Sequence, residues 1–225
     1  MRSAVIVAGG KGLRMQTDIP KQFLELKGKP VLMRTLKQFS KAFHGDIQLV
    51  LVLPKDHTAY WENLCKKYAF DIPHTLAMGG ATRFDSVKSG LAKCDRATIV
   101  GIHDGVRPLV SEELIRTCYK EAEKHGSALP VTAISQSLRK TTPDGNHPLD
   151  RTGMMAVQTP QCFEYKMILK AYESASHTDF TDDATVAEAA GHSIQLVDGD
   201  ATNIKITTQA DLKIAEAILG MSASR

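Results

Sequence analysis

Glycines and basic residues gather near the start of the chain, directly after an apolar run. The cluster comprises Gly9, Gly10, Gly12, Lys11, Arg14 and Lys21. Glycine lets the backbone approach an anion closely and turn its N–H groups toward it, while the basic side chains bring positive charge to the same place. We therefore predict that this loop cradles a polyphosphate such as a nucleoside triphosphate.

The loop departs from two common phosphate-binding patterns. The dinucleotide-binding fingerprint needs a further glycine at the position where this chain has Met15. The Gly-Lys-Ser or Gly-Lys-Thr of phosphate-loop ATPases does not occur in the sequence. A glycine-rich turn without a ligand stays open as the alternative interpretation.

A second cluster follows the predicted strand at 75–78 and opens a predicted helix. It contains Gly79, Gly80, Arg83 and Ser86. A double glycine lets a planar base lie against the backbone, and the N–H groups at a helix start can donate to the edge of that base. This arrangement predicts a nucleobase pocket. The alternative is an ordinary helix start capped by Thr82.

A carboxylate comes at the end of the next apolar run. Asp104 is preceded by His103 and followed three residues later by Arg107. Open α/β sheets bind ligands outside the carboxyl ends of their strands, and a single carboxylate there is a natural Mg²⁺ ligand. We predict that Asp104 binds the metal and that Arg107 reaches a phosphate or holds the carboxylate. An aspartate that merely caps the following turn is the alternative.

One lysine near the end of the chain is also a candidate. Lys205 lies between Ile204 and Ile206, just before the last predicted helix. Its neighbours favour the core, so the lysine side chain is expected to point away from the core, into a site or into solvent.

The elements that must position these residues alternate between strand and helix. Strands are predicted at 3–8, 47–53, 75–78, 98–103, 128–134 and 193–197, and helices around 32–43, 60–68, 111–126 and from 208 onward. Alternation of this kind is typical of an α/β fold with a mostly parallel sheet flanked by helices. Several of the strands are continuous apolar runs, as expected of strands buried on both faces.

Residues 135–158 break this alternation. A turn signal at Pro143 and Asp144 separates two strand-like pieces, 137–142 and 155–158. We predict a two-stranded β-arm that projects from the sheet. Because an isolated two-stranded arm is marginal in water, we expect it to pack against a second copy of the chain as a homodimer.

Composition limits the remaining choices. A chain of 225 residues with 43% hydrophobic residues predicts one globular domain. A formal charge of +3 does not favour a nucleic-acid partner. The four cysteines lack metal-type spacing and suit a reducing compartment. We recognise no signal peptide and no membrane span, and so expect a cytoplasmic protein without a membrane partner.

Taken together, the clusters resemble one family. The motifs that carry the resemblance are Ala8-Gly9-Gly10-x-Gly12-x-Arg14-Met15, Pro20-Lys21-Gln22, Gly79-Gly80-x-x-Arg83-x-x-Ser86-Val87, His103-Asp104-x-x-Arg107-Pro108, Thr159-Pro160-Gln161 and Asn203-Ile204-Lys205. In this order they look like the 2-C-methyl-D-erythritol 4-phosphate cytidylyltransferases, from residue 3 to about 215. The resemblance implies a Rossmann-like nucleotidyltransferase fold whose β-arm is exchanged in a homodimer.

The resemblance also implies an activity in isoprenoid biosynthesis. In that family the phosphate of 2-C-methyl-D-erythritol 4-phosphate attacks the α-phosphorus of CTP, with Mg²⁺ as cofactor, and diphosphate leaves; the resemblance implies the same reaction for this chain. Catalytic roles fall on Arg14, Lys21 and Lys205, and the metal on Asp104. The CTP contacts implied by the resemblance are Ala8, Gly9, Gly10, Gly12, Gly80, Arg83, Ser86 and Gly105.

The second substrate is implied to contact a different group of residues. These are Arg107, Ser137, Arg151, Thr159 and Thr181, of which Arg151 and Thr181 are expected from the partner subunit. Two small departures from the family pattern, at Ala81 and at Gly105-Val106, affect the detail of the pocket.

Two other functions stay open. A ribitol 5-phosphate cytidylyltransferase shares the triphosphate loop, the aspartate motif and the arm. The CTP half of the site therefore does not distinguish it from a methylerythritol phosphate cytidylyltransferase. A catalytically silent nucleotide-binding protein on the same fold is a remote alternative. It would have no need of the charges at Arg14, Lys21, Asp104 and Lys205 together.

Overall fold

The structure is a computed structural model that describes residues 1–9, 19–94 and 96–222. Its strands are β1 Arg2–Val7, β2 Glu25–Leu26, β3 Lys29–Pro30, β4 Gln48–Leu53, β5 Thr75–Met78, β6 Ile99–Asp104, β7 Ser127–Ala133, β8 Leu138–Thr142, β9 Gly145–Leu149, β10 Met155–Val157, β11 Gln161–Glu164 and β12 Leu196–Asp198. Its helices are α1 Val31–Ala42, α2 Thr58–Lys67, α3 Arg83–Leu91, α4 Glu112–His125, α5 Tyr165–Ser174, α6 Asp183–Ala189 and α7 Gln209–Ser222.

The central sheet has eight strands. Its order is β10-β7-β11-β6-β1-β4-β5, with β12 beside β7. Strand β1 is parallel to both β4 and β6, and β4 is parallel to β5, which confirms the predicted parallel core. Strands β10 and β11 run in the opposite direction, and the sequence had not predicted β11.

Two hydrophobic layers cover the two faces of this sheet. Alternate residues of β1 point to opposite faces. Ala4 and Ile6 join a cluster with α1, α2 and α4, whereas Val5 joins a cluster with α3, α5 and α6. Because both faces are covered, the apolar runs of β1 and β4 are buried along nearly their whole length, as predicted.

The helix ends follow their local sequence signals. The Ser111 hydroxyl caps α4 by accepting a hydrogen bond from the Leu114 N–H, and Gly126 ends the same helix at φ 82°. Thr82 caps α3 in a capping box with Asp85, so the predicted ordinary helix start is present. Asp211 and Thr208 exchange the corresponding hydrogen bonds at the start of α7.

The β-arm differs from its predicted pairing. Strand β8 pairs with β9, and Thr142 lies opposite Gly145 across the two-residue turn. Met155–Val157, predicted as the second strand of the arm, instead returns to the main sheet beside β7. The strand that follows the turn directly, β9, pairs with β8. The more apolar segment Met155–Val157 is then free to extend the main sheet. The strand predicted at 193–197 is also shifted, to Leu196–Asp198.

Among the described helices, none is both long and apolar enough to span a bilayer.

Candidate functional site

A cleft opens at the carboxyl ends of β1, β5 and β6, and we call it the glycine cleft. It is lined by Val7, Ala8, Gly9, Lys21, Gln22, Gly80, Ala81, Thr82, Arg83, Ser86, Asp104, Val106 and Lys205. Three separate predicted clusters therefore meet here, together with the predicted Lys205. Ligands of open α/β sheets bind at this edge.

Asp104 lies at the centre of the cleft's charges. Its Oδ2 accepts from the Lys205 ammonium at 3.1 Å and from the Arg107 Nε at 3.1 Å. Burial alone would raise the pKa of Asp104, but Lys205, then Arg107, hold the pKa of that carboxyl well below its usual range. The side chain is therefore ionised, and Lys205 points into the site rather than only into solvent.

A chain of hydrogen bonds fixes the backbone around Asp104. The Asp104 N–H donates to the Thr159 hydroxyl at 3.1 Å, and that hydroxyl lies 3.0 Å from His103 Nδ1. His103 Nε2 lies 3.2 Å from the Arg107 carbonyl, which can only accept. Nε2 must then carry the proton, so Nδ1 accepts from the Thr159 hydroxyl. The Thr159 hydroxyl therefore donates its proton to His103 and not to a ligand.

His103 is neutral in this arrangement. The imidazole is completely buried, and burial lowers its pKa to about 4. It packs edge-on against Phe39, with ring centroids 4.9 Å apart. A neutral imidazole is required for one nitrogen to donate and the other to accept.

Asn203 closes the arrangement from a third segment. Its carbonyl accepts from the Arg107 guanidinium at 2.7 Å, and its side-chain amide donates to the Thr159 carbonyl at 2.8 Å. The side chain is fully buried. Residues from three distant parts of the chain therefore hold one another in place around Asp104.

Ser86 organises the glycine turn before α3. Its hydroxyl accepts from the Gly80 N–H at 3.0 Å and donates to the Thr82 carbonyl at 2.9 Å. A Cβ at Gly80 would lie 2.2 Å from the Cβ of Asp85, which real side chains do not tolerate. Glycine is needed at this position for the close packing of the turn.

Arg83 has a partner that the sequence did not indicate. Its guanidinium forms a two-pronged pair with the buried Asp183 carboxylate, at 2.8 and 2.6 Å. The Tyr172 hydroxyl donates to the same carboxylate at 2.6 Å. Burial opposes the charge of Arg83, but Asp183 raises its pKa. Arg83 therefore joins α3 to α6, and its charge is already balanced where it borders the cleft.

A second cleft adjoins the first, and we call it the threonine cleft. It is lined by Arg83, Asp104, Arg107, Val157, Gln158, Thr159, Gln161, Thr181, Asp182 and Lys205. The two clefts share Arg83, Asp104 and Lys205. Thr181, expected from a partner subunit, already lines this cleft within its own chain. The cap of α6 is its neighbour Asp182.

The remaining predicted residues lie elsewhere. Gly10, Gly12 and Arg14 fall outside the described residues. Gly105 packs beneath the site, where its N–H donates to the Val7 carbonyl and a Cβ would lie 3.0 Å from the Cβ of Ala8.

The predicted arm residues also lie apart from the clefts. Ser137 and Arg151 are exposed on or beside the arm, and the Arg151 guanidinium donates to the Ser135 carbonyl. Within the described parts of the chain, neither lines the glycine cleft or the threonine cleft.

Several structural residues of the site were not predicted. The buried Gln22 amide donates to the Ala8 carbonyl at 3.0 Å and so holds the neighbouring Lys21 near the end of β1. The Gln161 side chain accepts from the N–H groups of Asp183 and Ala184 at the start of α6. Gln22 and Gln161 lie in the family motifs Pro20-Lys21-Gln22 and Thr159-Pro160-Gln161, and this membership was the sequence signal that could have identified them. Asp183 carried no local signal, since its partner Arg83 is distant in sequence.

The residues around Asp104 fit a magnesium ion held together with substrate. Mg²⁺ commonly uses one or two carboxylates and completes its shell with phosphates and waters. Asp104 Oδ2 is engaged by two cations, whereas Oδ1 forms no hydrogen bond with a described residue. Across 1–9, 19–94 and 96–222, no three His, Cys, Asp or Glu side chains gather as an all-protein metal site would require.

Comparison with known proteins gives a consistent result. The family model for 2-C-methyl-D-erythritol 4-phosphate cytidylyltransferase matches residues 3–221. The enzyme of that name from Bacteroides fragilis is 49% identical over 218 residues, covering 97% of this chain and 99% of the relative. The corresponding protein of Porphyromonas gingivalis is 48% identical, with 97% of each chain covered.

A solved structure agrees with the sequence matches. The 4-diphosphocytidyl-2C-methyl-D-erythritol synthase of Anaerococcus prevotii superposes with a TM-score of 0.82 at 32% identity, covering 97% of this chain and 96% of its own. The chain therefore belongs to the 2-C-methyl-D-erythritol 4-phosphate cytidylyltransferase family of nucleotidyltransferase enzymes.

Proposed function

We propose that the chain transfers the cytidylyl group of CTP to 2-C-methyl-D-erythritol 4-phosphate, with CTP in the glycine cleft and the acceptor in the threonine cleft. The observation that carries this proposal is the junction of the two clefts at Asp104 and Lys205. Two substrates that occupy adjoining clefts meet where charge is concentrated. The acceptor named here is the one for which the similar enzymes of Bacteroides fragilis and Porphyromonas gingivalis are named.

The reaction is an in-line displacement at phosphorus. An oxygen of the acceptor phosphate forms a bond to the α-phosphorus of CTP, the bond to the bridging oxygen breaks, and that electron pair leaves with diphosphate. Such a reaction needs positioning and charge stabilisation more than covalent catalysis. Lys205 and Lys21 border the glycine cleft and supply positive charge, and we assign Arg14 the same role.

We assign the nucleotide contacts to the backbone of the glycine cleft. Ala8 and Gly9 follow β1 and line the cleft, and we assign further triphosphate contacts to Gly10 and Gly12. Gly80 and Ser86 form the base side of the pocket, where their mutual hydrogen bond of 3.0 Å supports a fixed surface. In this proposal Arg83 contributes through its pair with Asp183 and its position between the clefts.

We assign magnesium to Asp104. Of the described residues that line the glycine cleft, Asp104 alone has a carboxylate. Bound Mg²⁺ would neutralise phosphate charge and help to orient the triphosphate. Lys205 and Arg107 keep the carboxylate ionised and hold its orientation for that role.

We propose that a second copy of the chain completes the acceptor site. The arm carries exposed apolar side chains at its base, including Leu149, Met154, Met155 and Val157. A partner that covers them would remove this surface from water. Ser137 and Arg151 of the partner subunit would then reach the acceptor phosphate, beside this chain's own Arg107 and Thr181.

The decisive experiment is an acceptor assay that follows diphosphate release from CTP. We expect turnover with methylerythritol phosphate and Mg²⁺, and little with ribitol 5-phosphate. Lys21→Ala should lower turnover by about 10³ because it removes charge beside the developing anion. The matched control Lys213→Ala removes an exposed lysine of α7 that lines neither cleft. Turnover with ribitol 5-phosphate alone, or none with either acceptor, would refute the proposal.

A further inference from the structure

A third cleft lies on the outer side of the β2–β3 hairpin, and we call it the hairpin cleft. It is formed by the hairpin, one side of α1 and the segment after α2. Its charged lining residues are Lys27, Lys29, Arg34, Lys37 and Asp71. It shares no lining residue with the glycine cleft or the threonine cleft. The reaction proposed above makes no use of it.

Arg34 is held in a fixed orientation in this cleft. Its Nε donates to the Leu26 carbonyl at 2.6 Å, and one terminal nitrogen donates to the Lys27 carbonyl at 2.8 Å. Both partners are neutral. No carboxylate of a described residue lies within ion-pair distance of the guanidinium. Burial lowers the pKa of Arg34, with no acidic group to oppose the effect.

Four other arginines in the body of the protein have a carboxylate partner, whereas the exposed Arg96 has none among the described residues. Arg2, Arg83, Arg107 and Arg116 each pair with a carboxylate. Arg116 is the closest parallel, because it also donates to a backbone carbonyl, that of Ala42 at 3.3 Å, yet it keeps Glu112 at 3.3 Å. A half-buried charge without a counter-ion is unfavourable unless something compensates it. Arg34 therefore lacks the carboxylate partner that these four arginines have.

The surroundings add to this imbalance. Four cations and the single carboxylate of Asp71 give the cleft a local formal charge of +3, since 4 − 1 = 3, which equals the net charge of the whole chain. Glu25 accepts from the hydroxyl of Tyr68, which lines the cleft, and lies 3.8 Å from Lys67. Among the described residues, no carboxylate forms an ion pair with any of the four cations of the cleft.

The hairpin itself is well fixed for binding. Lys27 and Gly28 form its two-residue turn, with φ values of 48° and 74° that suit a tight β-hairpin. The hairpin residue Leu26 is completely buried on the other side, in a cluster with Val106 and Ile206. Met33 forms part of the cleft wall and is 2% exposed. A low-polarity wall beside an oriented guanidinium strengthens its interaction with an anion.

We propose that the hairpin cleft binds a multiply charged phosphate anion, such as a diphosphate group. A guanidinium offers paired donors that match phosphate oxygens, so Arg34 provides the fixed contact. Lys27, Lys29 and Lys37 surround it with mobile positive charge. The bound anion would supply the counter-charge that the protein does not.

Isothermal titration with inorganic diphosphate, at constant ionic strength, tests this proposal. The wild-type chain should show two classes of binding site. Lys205→Ala identifies the class that belongs to the site at Asp104. Arg34→Met should weaken the other class at least about tenfold, because it removes charge-assisted hydrogen bonds. The matched control Arg116→Met should keep both classes.

A second variant guards against misfolding of Arg34→Met. The double variant Lys29→Gln, Lys37→Gln changes only exposed side chains and leaves Arg34 in place. It should keep the wild-type melting temperature and still weaken the same class of site. A single class in the wild-type chain that disappears in Lys205→Ala would overturn the proposal. Equal losses in Arg34→Met and Arg116→Met would overturn it as well.

Discussion

The surroundings of Asp104 and the β-arm hold polar groups in opposite ways. Near Asp104, the side chains of His103, Thr159 and Asn203 are buried, the Thr159 hydroxyl bonds to His103, and the Asn203 amide donates to the Thr159 carbonyl. In the arm, every residue from 139 to 157 is exposed, and β8 and β9 contact each other more than they contact the body. The positions of the side chains around Asp104 are set by packing inside a single chain. The arm presents its side chains outward.

This difference separates two kinds of functional residue. A side chain that is buried and hydrogen-bonded has its position set before any ligand arrives, so the site at Asp104 is preorganised. An exposed arm residue such as Arg151 gains a fixed position only when something packs against the arm. We therefore expect changes near Asp104 to affect chemistry and stability together, and changes in the arm to affect acceptor binding alone.

The largest effect should come from Lys205. Lys205→Ala removes one of the two cations paired with the Asp104 carboxylate and should lower kcat/KM by about 10³, because charge at the transferring phosphate is lost. Steady-state kinetics with CTP and the acceptor measure this loss. Lys213→Ala, an exposed lysine on α7, is the matched control and should leave kcat/KM unchanged. Similar kinetics for the two variants would remove the functional contrast between the regions.

The next effect concerns acid stability. Burial lowers the pKa of His103 from 6.5 to about 4, so the unfolded chain binds this proton more readily than the folded chain. The resulting stabilisation is complete above pH 6.5 and is lost as the pH falls toward 4, for a total of about 3 kcal/mol. Urea unfolding from pH 7 to 4 should show a smaller loss of stability in His103→Gln than in the wild-type chain. Equal losses would argue that His103 is not held neutral.

Removing the hydroxyl of Thr159 should have a somewhat smaller effect. Thr159→Val leaves the Asp104 N–H and His103 Nδ1 without their buried partner, and should lower the free energy of unfolding by about 2 kcal/mol. It should also lower kcat, since Asp104 loses a fixed neighbour. Thr159→Ser keeps the hydroxyl and should restore most of both quantities. If the serine variant behaves like the valine variant, the hydrogen-bond chain does not position Asp104.

The arm should give the smallest energetic change. Arg151→Ala is expected to raise KM for the acceptor about tenfold, with KM for CTP unchanged and the free energy of unfolding within about 0.5 kcal/mol of wild type. The control is Arg139→Ala, another exposed arm arginine, which contacts Asn146. A large loss of stability in Arg151→Ala would contradict the division between the two regions.

Local signals predicted the fold where neighbours in sequence decide the structure. The strand at 75–78 and the ends of α4 at Ser111 and Gly126 are confirmed. Pairing was harder, because the apolar character of 155–157 suits either the arm or the sheet edge. In the folded chain this segment pairs with β7, and this pairing assigns it to the sheet edge. Strand β11 was missed because its pairing partners, β6 and β7, are remote in sequence.

The candidate site divides in the same way. The residue types alone predicted which groups could act on phosphate, because glycine, lysine, arginine and aspartate keep their chemistry wherever they lie. Three contacts became visible only in the folded chain: Lys205 pairs with Asp104, Asp183 balances Arg83, and the Thr159 hydroxyl bonds to His103. These contacts join distant segments through burial, where an unpaired polar group is unfavourable, so they depend on how the whole chain packs.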